Sequence, residues 1–253
     1  MSETTTDKLL DGRVLLSQPR QGQRASADAV MLAAAVAAKR GQSVLDLGCG
    51  TGVVMLCLAA RLPGLLADGL EIQPKLVDLA QRNLQSNGMA ERLRVFAGDL
   101  RQRIPGLQPN RYDHVVANPP YFDPARHRPA KDAGRALARQ GVEGDGEAGA
   151  DEAAWIAAML RYARPEGRLW LILRVEQLPA ALAGCGRKAG SIQILPLQSK
   201  PGQAPKRLIL RAIKGGKAPL VLLPPLLLHE ADGSYRPAID AVLRQAVALP
   251  WGA

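Results

Sequence analysis

The sequence predicts an α/β fold in which a mostly parallel sheet is covered by helices on both faces. Short apolar runs that suit strands alternate with helical patterns from Ser43 onward, and this alternation is the element order of such a sheet. A glycine-rich turn follows the first of these strands, and acidic or amide side chains end or follow the next three. Ligands bind at the carboxyl edge of an open parallel sheet, so these residues also predict a binding site.

Each element is predicted from its own residues. A helix over 26–38 precedes the first strand. Pro74 suits the first turn of a later helix, and the dipeptide 87–88, Asn-Gly, suits its end. The predicted strands cover 43–47, 65–72, 93–97, 113–117, 168–173, 191–195 and 207–213. The later predicted helices cover 52–61, 74–85, 151–162 and 177–182.

The organisation predicted for the chain is one domain over residues 1–253. The chain is 47% hydrophobic and can bury a substantial core. Neither an internal repeat nor a linker divides it. We therefore predict an N-terminal extension (1–42), a sheet core (43–215) and a C-terminal extension (216–253).

Composition favours a cytoplasmic protein without a membrane segment. The N-terminus lacks the pattern of a secretory signal, and the apolar run 219–228 is too short to span a bilayer. The three cysteines have no metal-knuckle or redox spacing and suit reduced thiols. The three histidines are scattered, so no metal site is predicted, and no pattern indicates an oligomeric state.

The net charge of +10 favours a polyanionic partner such as RNA. The segment 200–217 holds six basic residues and no acid, and 126–139 is a second basic stretch. We predict that Lys200 and Lys206 contact phosphates, because the first segment includes a loop at the rim of the sheet. A solvated surface without a partner is the alternative.

A glycine-rich run, VLDLGCGTG over 44–52, joins the first strand to the next helix. Gly48 and Gly50 let a ligand approach the backbone closely. A dinucleotide site has a related pattern, and a merely tight turn is also compatible with the run.

Three carboxylates favour S-adenosylmethionine as the ligand. Asp46 precedes the glycines, where it suits the amino acid part of that cofactor and would repel a pyrophosphate. Glu71 ends the second strand, where a carboxylate can accept both ribose hydroxyls. Asp99 follows the third strand and can accept from the adenine amine. Together these residues predict a site for S-adenosylmethionine.

The motif Asn118-Pro119-Pro120-Tyr121 ends the fourth strand. A planar amine is a poor nucleophile because its lone pair is delocalised. The side-chain oxygen of Asn118 and the carbonyl of Pro119 can accept its protons and direct the lone pair towards a methyl sulfonium. Pro120 stiffens the turn, and Tyr121 offers a face for stacking. The motif therefore predicts N-methylation of a flat amine without a metal.

The glycine run, Glu71 and the NPPY motif resemble class I S-adenosylmethionine-dependent methyltransferases. More narrowly, the segments 18–34 and 222–237 and Phe122 resemble bacterial tRNA (adenine-N6)-methyltransferases that modify valine tRNA beside the anticodon. The resemblance implies a Rossmann-like sheet of seven strands with the last antiparallel. It also implies that Gln23, Arg24 and Asp28 help close the cofactor site, and that Phe122 lies with NPPY at the substrate.

Other functions remain open at this point. The same motif could methylate a release-factor glutamine, but we expect a larger helical region before the sheet in such an enzyme. Amines of rRNA or DNA bases are also compatible. A basic RNA-binding protein with a vestigial cofactor site is the non-enzymatic alternative, which the intact acids and Asn118 disfavour.

Overall fold

The computed structural model describes residues 4–21, 24–119 and 152–251. Its strands are β1 (Thr4–Leu9), β2 (Val14–Pro19), β3 (Ser43–Leu47), β4 (Leu66–Glu71), β5 (Leu93–Ala97), β6 (Tyr112–Ala117), β7 (Ala163–Arg174), β8 (Ala189–Gln198), β9 (Arg207–Lys214), β10 (Val221–Leu222) and β11 (Leu226–Leu227). Its helices are α1 (Ala27–Ala35), α2 (Val53–Arg61), α3 (Pro74–Ser86), α4 (Glu152–Tyr162), α5 (Leu178–Cys185) and α6 (Pro237–Gln245).

The central sheet has the strand order β10-β8-β9-β7-β6-β3-β4-β5. Strands β3 to β7 pair in parallel, and β9 lies antiparallel between β7 and β8. The predicted sheet, with its last strand antiparallel, is thus confirmed over β3 to β9. The short strands β10 and β11 add to it by pairing with β8. Sequence periodicity did not predict them because each has only two residues and prolines separate them.

The direction of the strands defines two edges of this sheet. The parallel strands end at the carboxyl edge, where the segments after β3, β4, β5, β6 and β7 emerge. Because β9 runs the other way, the loop 199–206 between β8 and β9 also lies at the carboxyl edge. The opposite edge, here called the amino edge, holds the ends of α4 and β9.

Both faces of the sheet are buried, as the sequence predicts. Val44 and Val116 pack in one cluster with α1, α2 and α6, while Leu45 and Val115 pack in the other with α4 and α5. Neighbouring residues of a strand point to opposite faces, so continuous apolar runs serve both layers.

Strand β7 begins earlier than its predicted start at residue 168. Ala163 pairs with Tyr112, and the register then shifts before His114 pairs with Arg168. Gly167 lies in this irregular stretch, where an added Cβ would be 2.8 Å from the carbonyl oxygen of Arg164. Proline and glycine in this stretch argued against a strand, whereas the pairing continues across a bulge.

The hairpin β1–β2 was not predicted, and α3 holds it through two asparagines. Asn83 accepts from Ser17 N–H at 2.9 Å, and Asn87 accepts from Leu15 N–H at 2.8 Å. In return, the side-chain amide of Asn83 donates to Ser17 O, and that of Asn87 donates to Leu15 O. Spaced four residues apart on one helix face, the two side chains cover the edge of β2 as a neighbouring strand would. Asn83 also donates to Thr51 O in the glycine turn, which couples the hairpin to that turn.

The C-terminal extension contributes a helix that was also not predicted. Pro237 starts α6, and Ile239 and Val242 are buried. Leu249 N–H donates to Ala34 O at 2.9 Å. The C-terminal extension therefore packs against the helix that precedes the sheet.

Candidate cofactor and methyl-transfer site

The glycine turn leaves an opening at the end of β3. Gly48 and Gly50 have φ of +65° and +55°, a region that favours glycine. An added Cβ at Gly48 would be 2.5 Å from Trp155 Cη2, whereas at Gly50 it would meet no described atom within 4 Å. Gly48 is thus required by the packing of α4, and Gly50 exposes its backbone to the space in front of the turn.

Asp46 lies beneath this turn with its carboxylate buried. Its residue is 1% exposed, and Oδ2 has no hydrogen-bond partner among the described residues. Burial, and secondarily the charge of Glu71, raises the pKa of Asp46 well above its usual range. A buried carboxylate oxygen without a donor is costly, so a cationic or N–H group of a ligand would stabilise it.

Glu71 holds the turn in shape. Its carboxylate accepts from Gly50 N–H and from Gln73 N–H, each at 2.9 Å. The sequence predicted a ribose contact for this residue, and that role stays a prediction. The structure adds that Glu71 orients the backbone of Gly50.

A cleft at the carboxyl edge brings five of the predicted site residues together. Its lining includes Arg24, Asp46, Gly48, Gly50 and Asn118. The remaining lining residues are Ala25, Ser26, Ala29, Cys49, Thr51, Val53, Val54 and Leu76. The cleft therefore combines one buried acid, one arginine and the amide of the NPPY motif.

Arg24 is held by residues that the sequence did not single out. Its guanidinium donates to Asp7 Oδ2 at 2.6 Å, to Pro19 O at 2.6 Å and to Thr5 Oγ1 at 2.9 Å. Gln18 also donates to Asp7 and accepts from Ala25 N–H. These contacts tie the β1–β2 hairpin to the segment that lines the cleft, and only the tertiary pairing of β1 with β2 brings them together.

Asp99 and Asp28 each bind an arginine. The guanidinium of Arg101 donates to Asp99 Oδ1 at 3.0 Å and to Asp99 Oδ2 at 2.6 Å, and these bonds lower the pKa of Asp99. Asp28 forms an ion pair with Arg207 at 2.7 Å. Neither acid is among the described residues that line the cleft, and neither is Glu71.

Asn118 and Pro119 follow β6 directly, beside β3. Asn118 is half-buried and lines the cleft with Asp46, while Pro119 is buried. The predicted site residues Gln23, Pro120, Tyr121 and Phe122 lie outside the described residues.

The basic segment is divided between the two edges of the sheet. Lys200 and Lys206 lie in the loop at the carboxyl edge, whereas Lys214 and Lys217 lie at the amino edge. The expectation that the charges of this segment are unopposed is wrong for Arg207, because Asp28 from α1 neutralises it. That acid is distant in sequence, so the local charge count missed it.

The described residues contain no cluster of three or more histidine, cysteine or acidic side chains that could hold a metal ion. No helix in the ranges 4–21, 24–119 and 152–251 is long and apolar enough to cross a membrane.

The strand order with β9 antiparallel, the glycine turn and the asparagine after β6 define a class I methyltransferase. The family model "Methyltransferase small domain" matches residues 24–143. A solved structure described as a predicted O-methyltransferase from Agrobacterium tumefaciens is 26% identical, covers 87% of this chain and 97% of its own, and has a TM-score of 0.72. An S-adenosylmethionine-dependent O-methyltransferase from Thermotoga maritima, 16% identical, covers 79% and 69% with a TM-score of 0.53 and shares the fold.

Curated relatives specify the family further. The tRNA1(Val) (adenine(37)-N6)-methyltransferase of Tolumonas auensis is 30% identical over 240 residues, which are 90% of this chain and 91% of the relative. The enzyme of the same name from Yersinia pestis is 36% identical over 111 residues, 44% of each chain. The chain belongs to the tRNA1(Val) (adenine(37)-N6)-methyltransferase family, and the predicted resemblance is confirmed.

Proposed function

We propose that the protein transfers a methyl group from S-adenosylmethionine to the N6 amine of an adenine in tRNA, at position 37 of a valine tRNA. The observation that carries the proposal is the cleft that Asn118 lines together with Asp46, whose buried Oδ2 has no hydrogen-bond partner in the described part of the chain. The names of the family members supply the nucleoside and the tRNA.

The residues of the cleft suit the amino acid part of the cofactor. Asp46 Oδ2 would accept from the ammonium group, and Arg24 would attract the carboxylate. The backbone of Gly48 and Gly50 leaves room for the chain between them. Outside this lining, Glu71 would bind the ribose and Asp99 the adenine amine, while Gln23 would help close the site. When bound, S-adenosylmethionine supplies an activated methyl group on its sulfonium.

The residues after β6 hold and orient the target amine. Asn118 Oδ1 and the carbonyl oxygen of Pro119 would each accept one of its protons, so that its lone pair faces the sulfonium. Pro120, Tyr121 and Phe122 would bind the adenine ring, with Tyr121 stacking on it. The proton released after transfer needs no strong base, since correct placement of the reactants supplies much of the acceleration.

The test is methyl transfer to unmodified tRNA with radiolabelled S-adenosylmethionine, followed by mass-spectrometric mapping of the modified nucleoside. We expect N6-methyladenine at one position beside the anticodon. Asn118→Ala should reduce turnover by roughly 10²- to 10³-fold, the scale seen when one preorganised polar group is removed. Its affinity for the cofactor reports whether the loss lies in chemistry or in binding.

The same assay separates the alternatives. Label in a release-factor glutamine, in rRNA or in DNA, with none in tRNA, would contradict the proposed substrate. RNA binding without cofactor binding would favour a vestigial site.

We further propose that residues 1–253 act as one methyltransferase domain in the cytoplasm, where tRNA is modified. The extension 1–42 would complete the cofactor site through Arg24. Lys200 and Lys206 would contact tRNA phosphates, which their position at the same edge as Asn118 supports.

A further inference from the structure

Two segments of the chain form a continuous surface at the carboxyl edge, beyond the end of β8. This surface consists of residues 199–206 and 228–236, and we call it the edge surface. Leu228 N–H donates to Gln198 O at 2.9 Å, and His229 N–H donates to Ser199 O at 3.1 Å. Lys200 Nζ donates to Ala231 O at 3.2 Å. The edge surface is therefore built by backbone pairing between two segments separated in the sequence.

An exposed aromatic pair occupies this surface. His229 and Tyr235 pair across a tight turn, and their rings stack with centroids 4.7 Å apart and planes 25° apart. Tyr235 is 37% exposed. The other exposed large apolar side chains in the described residues are aliphatic. Trp155, Trp170 and Tyr112, in contrast, are buried in the core. Because these other aromatic side chains are buried, the solvent-exposed ring of Tyr235 is suited to binding a partner.

The charges around the pair favour an anionic partner. Lys200 lies beside the turn, and the exposed Lys206 ends the other segment. Of the two nearby acids, Glu230 accepts from Arg236 at 3.1 Å. Asp232 is the remaining acid. Its carboxylate accepts from Ser234 Oγ at 2.6 Å, and this bond and the nearby charge of Lys200 lower its pKa. The two segments therefore carry three basic and two acidic side chains, and cations beside a stacked aromatic pair are a combination that binds single-stranded nucleic acid.

The edge surface lies near the predicted methyl-transfer position. In the sheet, β8 is three strand spacings from β6, which ends before Asn118. At the usual separation of neighbouring strands this is about 14 Å. A loop of RNA whose target base is at Asn118 can reach the edge surface with nucleotides close to that base.

We propose that the edge surface binds an unpaired segment of the RNA substrate next to the methylated base. A base of that segment stacks on Tyr235, which is supported from behind by His229, and a phosphate contacts Lys200. This inference rests on the proposed function and extends it from the reacting base to the neighbouring nucleotides. Unpaired loop bases are available for such stacking without melting a duplex.

The experiment measures the affinity of an in vitro transcribed valine tRNA for Tyr235→Ala and Tyr235→Phe, together with steady-state methyl transfer. We expect Tyr235→Ala to raise the tRNA Kd and KM by roughly tenfold, the effect of losing one stacked base. Its kcat at saturating tRNA and its affinity for S-adenosylmethionine should stay within about twofold of the original protein, since the site itself is untouched. Tyr235→Phe should retain tight binding because it keeps the ring.

Leu222→Ala is the matched control. This side chain is 66% exposed on the same extension but lies in β10, which pairs with the middle of β8. It should leave the tRNA Kd unchanged. Unchanged tRNA binding by Tyr235→Ala, or an equal loss with Tyr235→Phe or Leu222→Ala, would overturn the stacking role. If the original protein itself transfers no methyl to tRNA, the proposed function fails instead.

Discussion

At the amino edge of the central sheet His114, Asp113 and Lys214 have hydrogen-bond partners, whereas at the carboxyl edge Asp46 Oδ2 has none among the described residues. His114 is fully buried, yet Trp170 donates to its Nδ1 at 3.0 Å and its Nε2 lies 3.1 Å from Gln42 Oε1. Since Nδ1 accepts, Nε2 carries the proton and the ring is neutral. Burial lowers the pKa of His114 to about 4, in agreement with that state.

Lys214 and Asp113 complete the amino edge. Lys214 donates to Asn110 Oδ1, Leu160 O and Ala163 O, at 2.5, 2.6 and 2.8 Å, and so caps the end of α4. Asp113 accepts from Ser43 N–H at 2.9 Å and from Arg164 at 2.7 Å.

At the carboxyl edge, Asp46 Oδ2 is buried without a described donor, and a Cβ added at Gly50 would meet no described atom within 4 Å. The difference indicates that His114, Asp113 and Lys214 stabilise the fold, whereas the carboxylate of Asp46 is suited to binding a ligand. Such unsatisfied groups reduce stability in exchange for binding.

The largest expected effect is the loss of cofactor affinity in Asp46→Asn. Removing the charge should weaken binding of S-adenosylmethionine about 10- to 100-fold, the usual contribution of a charged hydrogen bond. Calorimetry should show unchanged binding of 5′-methylthioadenosine, which lacks the ammonium and the carboxylate. The free energy of unfolding without ligand should not fall, because the variant removes an unsatisfied buried charge. If the variant bound both ligands equally more weakly, Asp46 would not be the residue that binds the ammonium group.

Lys214→Met should have the opposite pattern, a loss of stability without a loss of ligand binding or activity. The variant keeps the apolar stem but leaves the carbonyls at the end of α4 without their donor, so the free energy of unfolding should fall by about 1 to 3 kcal/mol. Urea denaturation measures this loss, while kcat and both KM values at a permissive temperature should be unchanged. A catalytic defect without a loss of stability would show that the amino edge serves more than the fold.

The two edges should also respond to pH with opposite sign. Because the pKa of Asp46 is raised in the folded protein, its protonated form stabilises the fold in acid. This contribution declines as pH rises above the pKa of an aspartate in the unfolded chain, which is about 4. Burial opposes ionisation of Asp113, but the bonds from Ser43 and Arg164 outweigh it and lower its pKa. Its contribution is therefore present at neutral pH and is lost as pH falls below about 4 towards the folded pKa.

Urea denaturation between acid and neutral pH checks both signs. Relative to the original protein, Asp46→Asn should become more stable as pH rises. The deficit of Asp113→Asn should shrink as pH falls. Parallel curves for the two variants would contradict the assignment.

The smallest expected effect concerns the salt dependence of tRNA binding. The pair Lys200→Ala and Lys206→Ala at the carboxyl edge should lower the slope of log K against log salt by about two, since each phosphate contact contributes about one. The exposed pair Lys188→Ala and Lys217→Ala at the amino edge removes the same charge and should leave the slope unchanged. Equal slopes for the two double variants would refute phosphate contacts confined to one edge.

Local sequence determined most of the sheet and predicted five of the residues that line the cleft. Strand β3 was predicted over residues 43–47 and β5 over 93–97, and both have these bounds in the structure. Hydrophobic periodicity, glycines with positive φ and a proline in the first turn of α3 are short-range signals, so a sequence carries them directly. The glycine turn and NPPY motif belong to the same class of signal.

Tertiary structure alone decided which charges meet. The ion pairs Asp7–Arg24 and Asp28–Arg207 join segments that are separated in the sequence. The first holds Arg24 at the wall of the cleft, and the second neutralises one charge of the basic segment 200–217. Strand β11 is defined by its pairing with β8 in the sheet. This pairing places the stacked rings of His229 and Tyr235 at the carboxyl edge. Long-range pairing depends on the path of the whole chain, because a local pattern specifies which face a side chain occupies but not what lies opposite.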